Sequence, residues 1–185
     1  AGSNHEAWLW LSLGTGIRLG ESRALLRSDI DSANRIVSIT KSCDQHTNEI
    51  GPTKTGRSRV VDIPDEVMPV LVAHLARLPA SESLVFRSPA ARGPIRARSI
   101  QEWMQRLCKA AGVTPLPCHS TRHTYATLAL DAGVPLKEIS EALGHASVAT
   151  TARVYSHAAE RQSKRRAAGA LGAVLTGRIP TPIRA

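Results

Sequence analysis

Apolar positions recur every three or four residues along most of the chain and alternate with polar ones only briefly, a pattern that predicts helices interrupted early by short strands. The first apolar run, Ala7-Trp8-Leu9-Trp10-Leu11, belongs to a helix expected over about residues 5–14 and closed by Gly14-Thr15-Gly16. Glu21 to Leu26 reads as a second, shorter helical piece. Arg35 to Ile39 alternates polar and apolar residues, Val60 to Ile63 does so less cleanly, and Glu49 to Thr53 is expected between them as the middle strand. Asp65 to Leu78 then presents Val67, Val70, Leu71, Leu75 and Leu78 on one helical face. Residues 87–98 contain Pro89, Gly93 and Pro94 and are expected to be loop, after which Ser99 caps a helix carrying Ile100, Trp103, Met104, Leu107, Cys108 and Ala111. A helix over about 121–132 stops at Gly133. Pro135 opens the next, with Leu136, Ile139 and Leu143 inward and Gly144 at its end, and Ser147 caps a short helix through about Tyr155. A last amphipathic segment, about 158–176, offers Leu171, Val174 and Leu175. The expected fold class is therefore α+β, mainly α-helical, with a small three-stranded antiparallel sheet in the N-terminal third.

Composition narrows the class. At 185 residues one domain is expected, large enough to bury a substantial core. No apolar run approaches the roughly 20 residues a membrane-spanning helix needs, and no basic segment followed by an apolar one opens the chain, so a soluble cytoplasmic protein is expected. Ala1-Gly2-Ser3 resembles a cloning scar and runs straight into helix, which reads as a piece of a longer protein. Cys43, Cys108 and Cys118 are too few and too scattered for a disulfide framework, and six aromatic side chains are too few for single-strand stacking platforms.

The formal charge of +9 has an address: residues 87–98 carry Arg87, Arg92, Arg96 and Arg98 without an acid. Residues 157–185 carry six basic residues, among them Arg161, Lys164, Arg165 and Arg166, against Glu160 alone. The rest of the chain is formally neutral. Two such segments fit a polyanion such as nucleic acid, and fit equally a solvated loop and tail.

The polar reactive groups concentrate in Cys118-His119-Ser120-Thr121-Arg122-His123-Thr124-Tyr125, at a helix start where unpaired N–H groups and the dipole favour an anion and Arg122 adds a bidentate guanidinium. Leu143-Gly144-His145 follows, and Tyr155 comes ten residues after His145 in Arg153-Val154-Tyr155-Ser156-His157. Taken singly, Tyr155 reads as a packing residue and His145 as a capping or buried group. His119 and His123, four apart beside Cys118, would suggest zinc, but the His-Glu-x-x-His pattern is absent and His123 reads as a structural group beside the site.

In that order and spacing, HSTRHTYAT, EALGHASVATT and VYSHA resemble the tyrosine recombinase, or phage integrase, family. Thr15-Gly16-Ile17-Arg18-Leu19-Gly20-Glu21 resembles its first box, and Thr53-Lys54-Thr55-Gly56 its hairpin lysine between the second and third strands. The resemblance spans about residues 6–160 and departs at Ser120-Thr121, where many relatives have an apolar residue before the arginine. It implies a site-specific DNA recombinase of the integrase type that integrates or excises mobile DNA through a 3′-phosphotyrosyl intermediate, without metal, cofactor or ATP. Arg18, Arg122 and His145 would hold the phosphate, Glu21 would brace the site, Lys54 would protonate the departing 5′ oxygen, His119 would accept the proton and Tyr155 would attack. Such donors suit a crowded phosphorane with extra negative charge, and a phenol with pKa near 10 needs both a positive field and a proton acceptor. The role of His157 stays open between capping and support.

The resemblance further implies a duplex core site as partner, a homotetramer on DNA from a chain monomeric alone, with residues 158–185 docking in trans. It also implies directionality or DNA-bending proteins, upstream core-binding and arm-binding domains outside this chain, and a bacterial or phage-encoded protein acting at the nucleoid. The basic residues at 87–98 and 161–166 are the expected DNA-backbone contacts. A non-catalytic DNA-binding module on the same scaffold, a type IB topoisomerase-like enzyme and a zinc hydrolase built on His119 and His123 are the competing readings.

Overall fold

The computed structural model describes residues 3–54, 56–89 and 92–155, together with Ala168. Helix α1 (Asn4–Thr15) begins at Ser3, whose hydroxyl accepts from Glu6 N at 3.2 Å. It stops at Gly16, which takes φ +62°; a Cβ there would stand 2.7 Å from both Leu143 and Tyr125, so glycine serves the left-handed turn and the close approach together. The turn delivers Arg18 as the extended residue before α2 (Leu19–Arg23). This helix starts two residues earlier than the apolar pattern suggests because Glu21 reaches back to the Arg18 backbone N–H at 2.9 Å. Leu26 has already left it to bridge Leu84.

The strands are β1 (Ile30–Asp31), β2 (Ile36–Ile39), β3 (Lys41–Cys43), β4 (Ile50–Pro52) and β5 (Arg59–Asp62). A three-stranded antiparallel sheet exists, but its order is β1-β2-β5, with Ile30 opposite Val37 and Val37 opposite Val61. The segment 49–53 is not its middle strand. β4 pairs instead with β3 in a separate two-stranded ribbon, Ser42 opposite Gly51. The reason is local turn chemistry: the Asp44 carboxylate accepts from His46 N at 2.7 Å and Thr47 N at 2.9 Å, folding the chain back at once. Arg35 stays outside β2, since its φ of +55° closes the Asp31–Arg35 turn rather than continuing a strand.

Helices α3 (Met68–Arg77), α4 (Ala97–Ala110), α5 (Ser120–Asp131) and α6 (Leu136–Leu143) follow, and residues 148–155 form α7. Ser99 does not cap α4; the helix starts after Arg96 without a side-chain cap, and the Ser99 hydroxyl meets His5 Nε2 at 3.1 Å. On α4, Ile100, Met104 and Cys108 are buried, Trp103 is half-buried against His5, and Leu107 and Ala111 face solvent. Ser147 does cap α7, its hydroxyl accepting from Ala149 N at 3.1 Å. The expected segment 158–176, with His157, Arg161, Lys164, Arg165 and Arg166, lies outside the described residues apart from Ala168.

Two apolar clusters hold the molecule together. The larger joins α1, the three-stranded sheet, α3 and α4 through Trp8, Leu11, Val37, Leu71, Phe86 and Ile100. The smaller joins α5, α6 and α7 through Ala126, Leu130, Ile139, Leu143 and Tyr155. Charged groups fill the seam between them.

Candidate active site

The seam is organised by the C-terminus of α6. The last carbonyls of a helix have no partner within it and carry its negative dipole end, so they draw cations. Here three consecutive carbonyls each take a guanidinium from a different element. Ala142 O accepts from Arg59 Nε of β5 at 2.7 Å, Leu143 O from Arg122 Nη2 of α5, and Gly144 O from Arg18 Nη2 at 3.1 Å. Arg122 Nη1 also donates to Gly16 O at 2.7 Å, tying α5 to the end of α1.

Three cations in one buried place need an anion, and Glu21 is it. Its carboxylate accepts from Arg18 Nη1 at 2.8 Å and from Arg59 through both terminal nitrogens, at 3.0 and 2.7 Å. Burial opposes ionisation, but Arg59 and Arg18 overcome it and hold the Glu21 carboxyl at about 2. Burial, helped by Arg18 and Arg59, pulls the Arg122 guanidinium down to about 9, still charged at neutral pH. Gly144 caps α6 at φ +62°, and a Cβ there would sit 2.9 Å from Arg59 Nη1. Gly144→Ala should therefore cost about 1–3 kcal/mol of stability, read as a lowered melting temperature, because the added carbon both strains the turn and displaces Arg59.

His145 follows directly on that turn. Its Nδ1 lies 2.6 Å from the hydroxyl of Thr151, itself buried on α7, which leaves Nε2 for a ligand. Burial first, then Arg122, Arg18 and Arg59, lower its pKa to about 4, so it is a neutral donor at neutral pH. His119 immediately precedes α5, and burial, with His123 and Arg122, lowers its pKa.

The structure thus gathers Arg18, Glu21, Arg122 and His145, with His119 beside Arg122. Tyr155 is buried in the smaller apolar cluster within the field of Arg122. Its hydroxyl meets His123 Nδ1 at 2.8 Å, while His119 packs edge-on with the His123 ring at 4.9 Å between centroids. His123, read from the sequence as merely structural, is therefore the histidine on the phenol. Burial raises the Tyr155 pKa, against the opposing pull of Arg122.

Lys54 is not drawn into the cluster. It sits exposed on the turn between β4 and β5 and lines a cleft of about 740 Å³ with Leu19, Gly20, Arg23 and Ser42, which begins one residue beyond Arg18. The expected loop arginines lie elsewhere on the surface. Arg87 faces Glu82 at 3.8 Å, Arg98 is already in α4 and pairs with Glu102 at 2.7 Å, and Arg92 and Arg96 are exposed. Among the described residues no three His, Cys, Asp or Glu side chains gather as a metal set, and burial pushes the Cys118 thiol up to about 11.

Sequence reasoning missed two residues. Arg59 shares a strand face with buried Val61, and an arginine at an inward strand position is a signal that could have found it. Arg23 is fully buried and donates to Ile95 O at 2.7 Å, Asp44 O at 3.1 Å and Asn48 Oδ1, fastening the β3–β4 ribbon to α2. No short-range pattern marks it.

A mainly helical body with a small antiparallel sheet thus carries arginines, histidines and a tyrosine at its seam. The description Phage integrase family matches residues 2–162, and the chain belongs to that family. It is 31% identical over 186 residues to a protein named tyrosine recombinase XerC-like from Caldanaerobacter subterraneus subsp. tengcongensis, covering 87% of this chain and 47% of that protein. It is 33% identical over 168 residues to tyrosine recombinase XerC of Nitrobacter winogradskyi, covering 82% and 47%. The chain thus spans about half the length of these relatives. Among solved structures it resembles XerA recombinase with a TM-score of 0.73 and 27% identity, over 90% of this chain and 57% of that one. It also resembles the Tn1549 transposon integrase in complex with a circular intermediate DNA, with a TM-score of 0.75 and 21% identity over 87% and 58%. No described helix is long and apolar enough to cross a membrane.

Proposed function

We propose that this chain is the catalytic domain of a site-specific DNA recombinase that cleaves and rejoins duplex DNA through a phosphotyrosyl bond, without metal or ATP. The observation that carries the reading is the set of Arg18, Arg122 and His145 on one helix end beside Tyr155. A phosphorane gains negative charge on its equatorial oxygens, and donors fixed in advance stabilise that charge without reorganising. Arg18 and Arg122 are fixed by backbone carbonyls and Glu21, and neutral His145 donates through Nε2. The phenolic proton passes to the histidines at the start of α5. Lys54, on its exposed turn, protonates the departing 5′ oxygen once DNA lies across the cleft beside Gly20. The phosphotyrosyl bond keeps the energy of the broken phosphodiester, so resealing needs no ATP.

The partner is duplex DNA carrying a specific core site; relatives of similar fold in complex with DNA support this. Arg92 and Arg96, exposed, are candidates for backbone contacts, as are Arg87, Arg98 and the basic residues at 161–166. Recombination requires four protomers on two duplexes, and the chain alone is a monomer. A bacterial cytoplasmic setting accords with the bacterial relatives.

The test is a pool of nicked duplexes randomised across the cleavage region, incubated with the chain in a chelator. A DNA adduct that survives denaturation is expected, with none from Tyr155→Phe. Undiminished adduct in that variant would remove Tyr155 as the nucleophile; no adduct from the unaltered chain would remove the recombinase reading.

A further inference from the structure

We infer that His123, rather than His119, is the catalytic base that takes the phenolic proton from Tyr155. The inference rests on the recombinase reading and names a residue that the family's signature leaves without a task. A base must lie within hydrogen-bond reach of the proton it removes, and geometry comes before pKa in choosing it. His123 Nδ1 is 2.8 Å from Tyr155 Oη, whereas His119 packs edge-on with the His123 ring and makes no hydrogen bond to the phenol.

The placement is built into two helices. His119 immediately precedes α5 and His123 lies four residues later, so both side chains project from the same face of its first turn. α7 is anchored by Ser147 at its start and by Thr151 against His145, which carries Tyr155, one turn further on, onto that face. Arg122 lies between the two histidines in sequence, buried, with both terminal nitrogens held by carbonyls. It supplies the positive field and has no lone pair with which to take a proton.

With the ring proton on Nε2, His123 Nδ1 accepts the phenol's hydrogen bond. As Tyr155 Oη bonds to phosphorus, the O–H bond breaks and Nδ1 takes the proton. The P–O5′ bond breaks as Lys54 gives a proton to the departing oxygen. Rejoining runs the same transfers backwards: the incoming 5′ hydroxyl returns its proton to Lys54, and protonated His123 returns one to the leaving phenolate. His119 packs against the His123 ring and holds its orientation.

Two measurements test this. On the duplex recovered from the randomised pool, single-turnover cleavage is compared for a normal 5′ oxygen and a bridging 5′ sulfur, a leaving group that needs no proton. His123→Gln should slow both substrates about 100-fold. Lys54→Met should slow only the oxygen substrate. Imidazole in solution should restore part of the rate of His123→Gly. In the DNA-free chain, long-range nitrogen-15 spectra should show His123 protonated on Nε2, with the Nδ1 resonance moving in Tyr155→Phe.

Cleavage by His123→Gln at the unaltered rate would overturn the inference, as would a base-type defect on the sulfur substrate in His119→Gln alone. A proton on His123 Nδ1 would overturn it without reference to any variant's folding. No adduct from the unaltered chain would remove the recombinase reading and this inference with it. An adduct whose rate ignores His123 removes the inference only.

Discussion

Glu21→Ala is expected to destabilise the chain by about 3–5 kcal/mol, the largest loss from any single substitution at this site. The carboxylate is 2% exposed and takes four side-chain and backbone hydrogen bonds from Arg18 and Arg59. Removing it leaves those guanidiniums packed beside Arg122 with no counter-charge. Glu21→Gln should lose less, since it keeps two of the geometric contacts while giving up the charge.

Acid should reproduce the same loss. The folded Glu21 carboxyl sits at about 2 against an ordinary 4.5, so the unfolded chain binds its proton first. The stabilisation is present above pH 4.5 and disappears as pH falls toward 2, amounting to about 3 kcal/mol across that window. His145, held at about 4 against 6.5, acts in the same direction at higher pH: the unfolded chain takes up its proton first, so stability falls as pH drops from 6.5 toward 4. Denaturant unfolding between pH 7 and 3 should show stability falling throughout, and Glu21→Gln should flatten the part below 4.5. A midpoint that does not move between pH 6 and 3 would contradict this electrostatic account.

Arg122→Lys is expected to reduce DNA cleavage by about 100- to 1,000-fold, the cost of losing one preorganised donor to a developing anion. A single ammonium cannot reach Gly16 O and Leu143 O from one fork while also presenting an N–H to phosphate. The charge survives in this variant and the geometry does not. Binding to duplex DNA should fall far less than cleavage, which single-turnover rates and fluorescence anisotropy would separate. Equal losses in both would mean that Arg122 serves affinity rather than the transition state.

The order and spacing of Arg18, His119, Arg122, His145 and Tyr155 made the family legible from the sequence, because each sits at a fixed step along its own helix or turn. What holds them was not legible. The acceptors for Arg18, Arg59 and Arg122 are the carbonyls of Ala142, Leu143 and Gly144, backbone groups that every residue carries and that matter only once α6 ends there. Arg59 carries one local signal, its inward position on β5, but its partners Ala142 and Glu21 lie far away in the chain.

The position of His123 depends on how α7 packs on α5, which helical periodicity within either segment does not encode. In the fold, helices with strong apolar stripes such as α3 and α6 were readable. The sheet was mis-assembled because β1 is two residues long and β3 has no alternation, leaving only Asp31 and Asp44 turn chemistry to decide the pairing.

On the proposed reading Tyr155 attacks phosphorus beside the arginine cluster held by α6. The direct measurement is mass spectrometry of the denatured DNA adduct after nuclease and protease digestion. Since the chain has two tyrosines, Tyr125 and Tyr155, the result is unambiguous. A nucleotide remnant attached through its 3′ phosphate to the peptide containing Tyr155 is expected. A remnant on Tyr125 or on a serine, or a 5′ linkage, would contradict it.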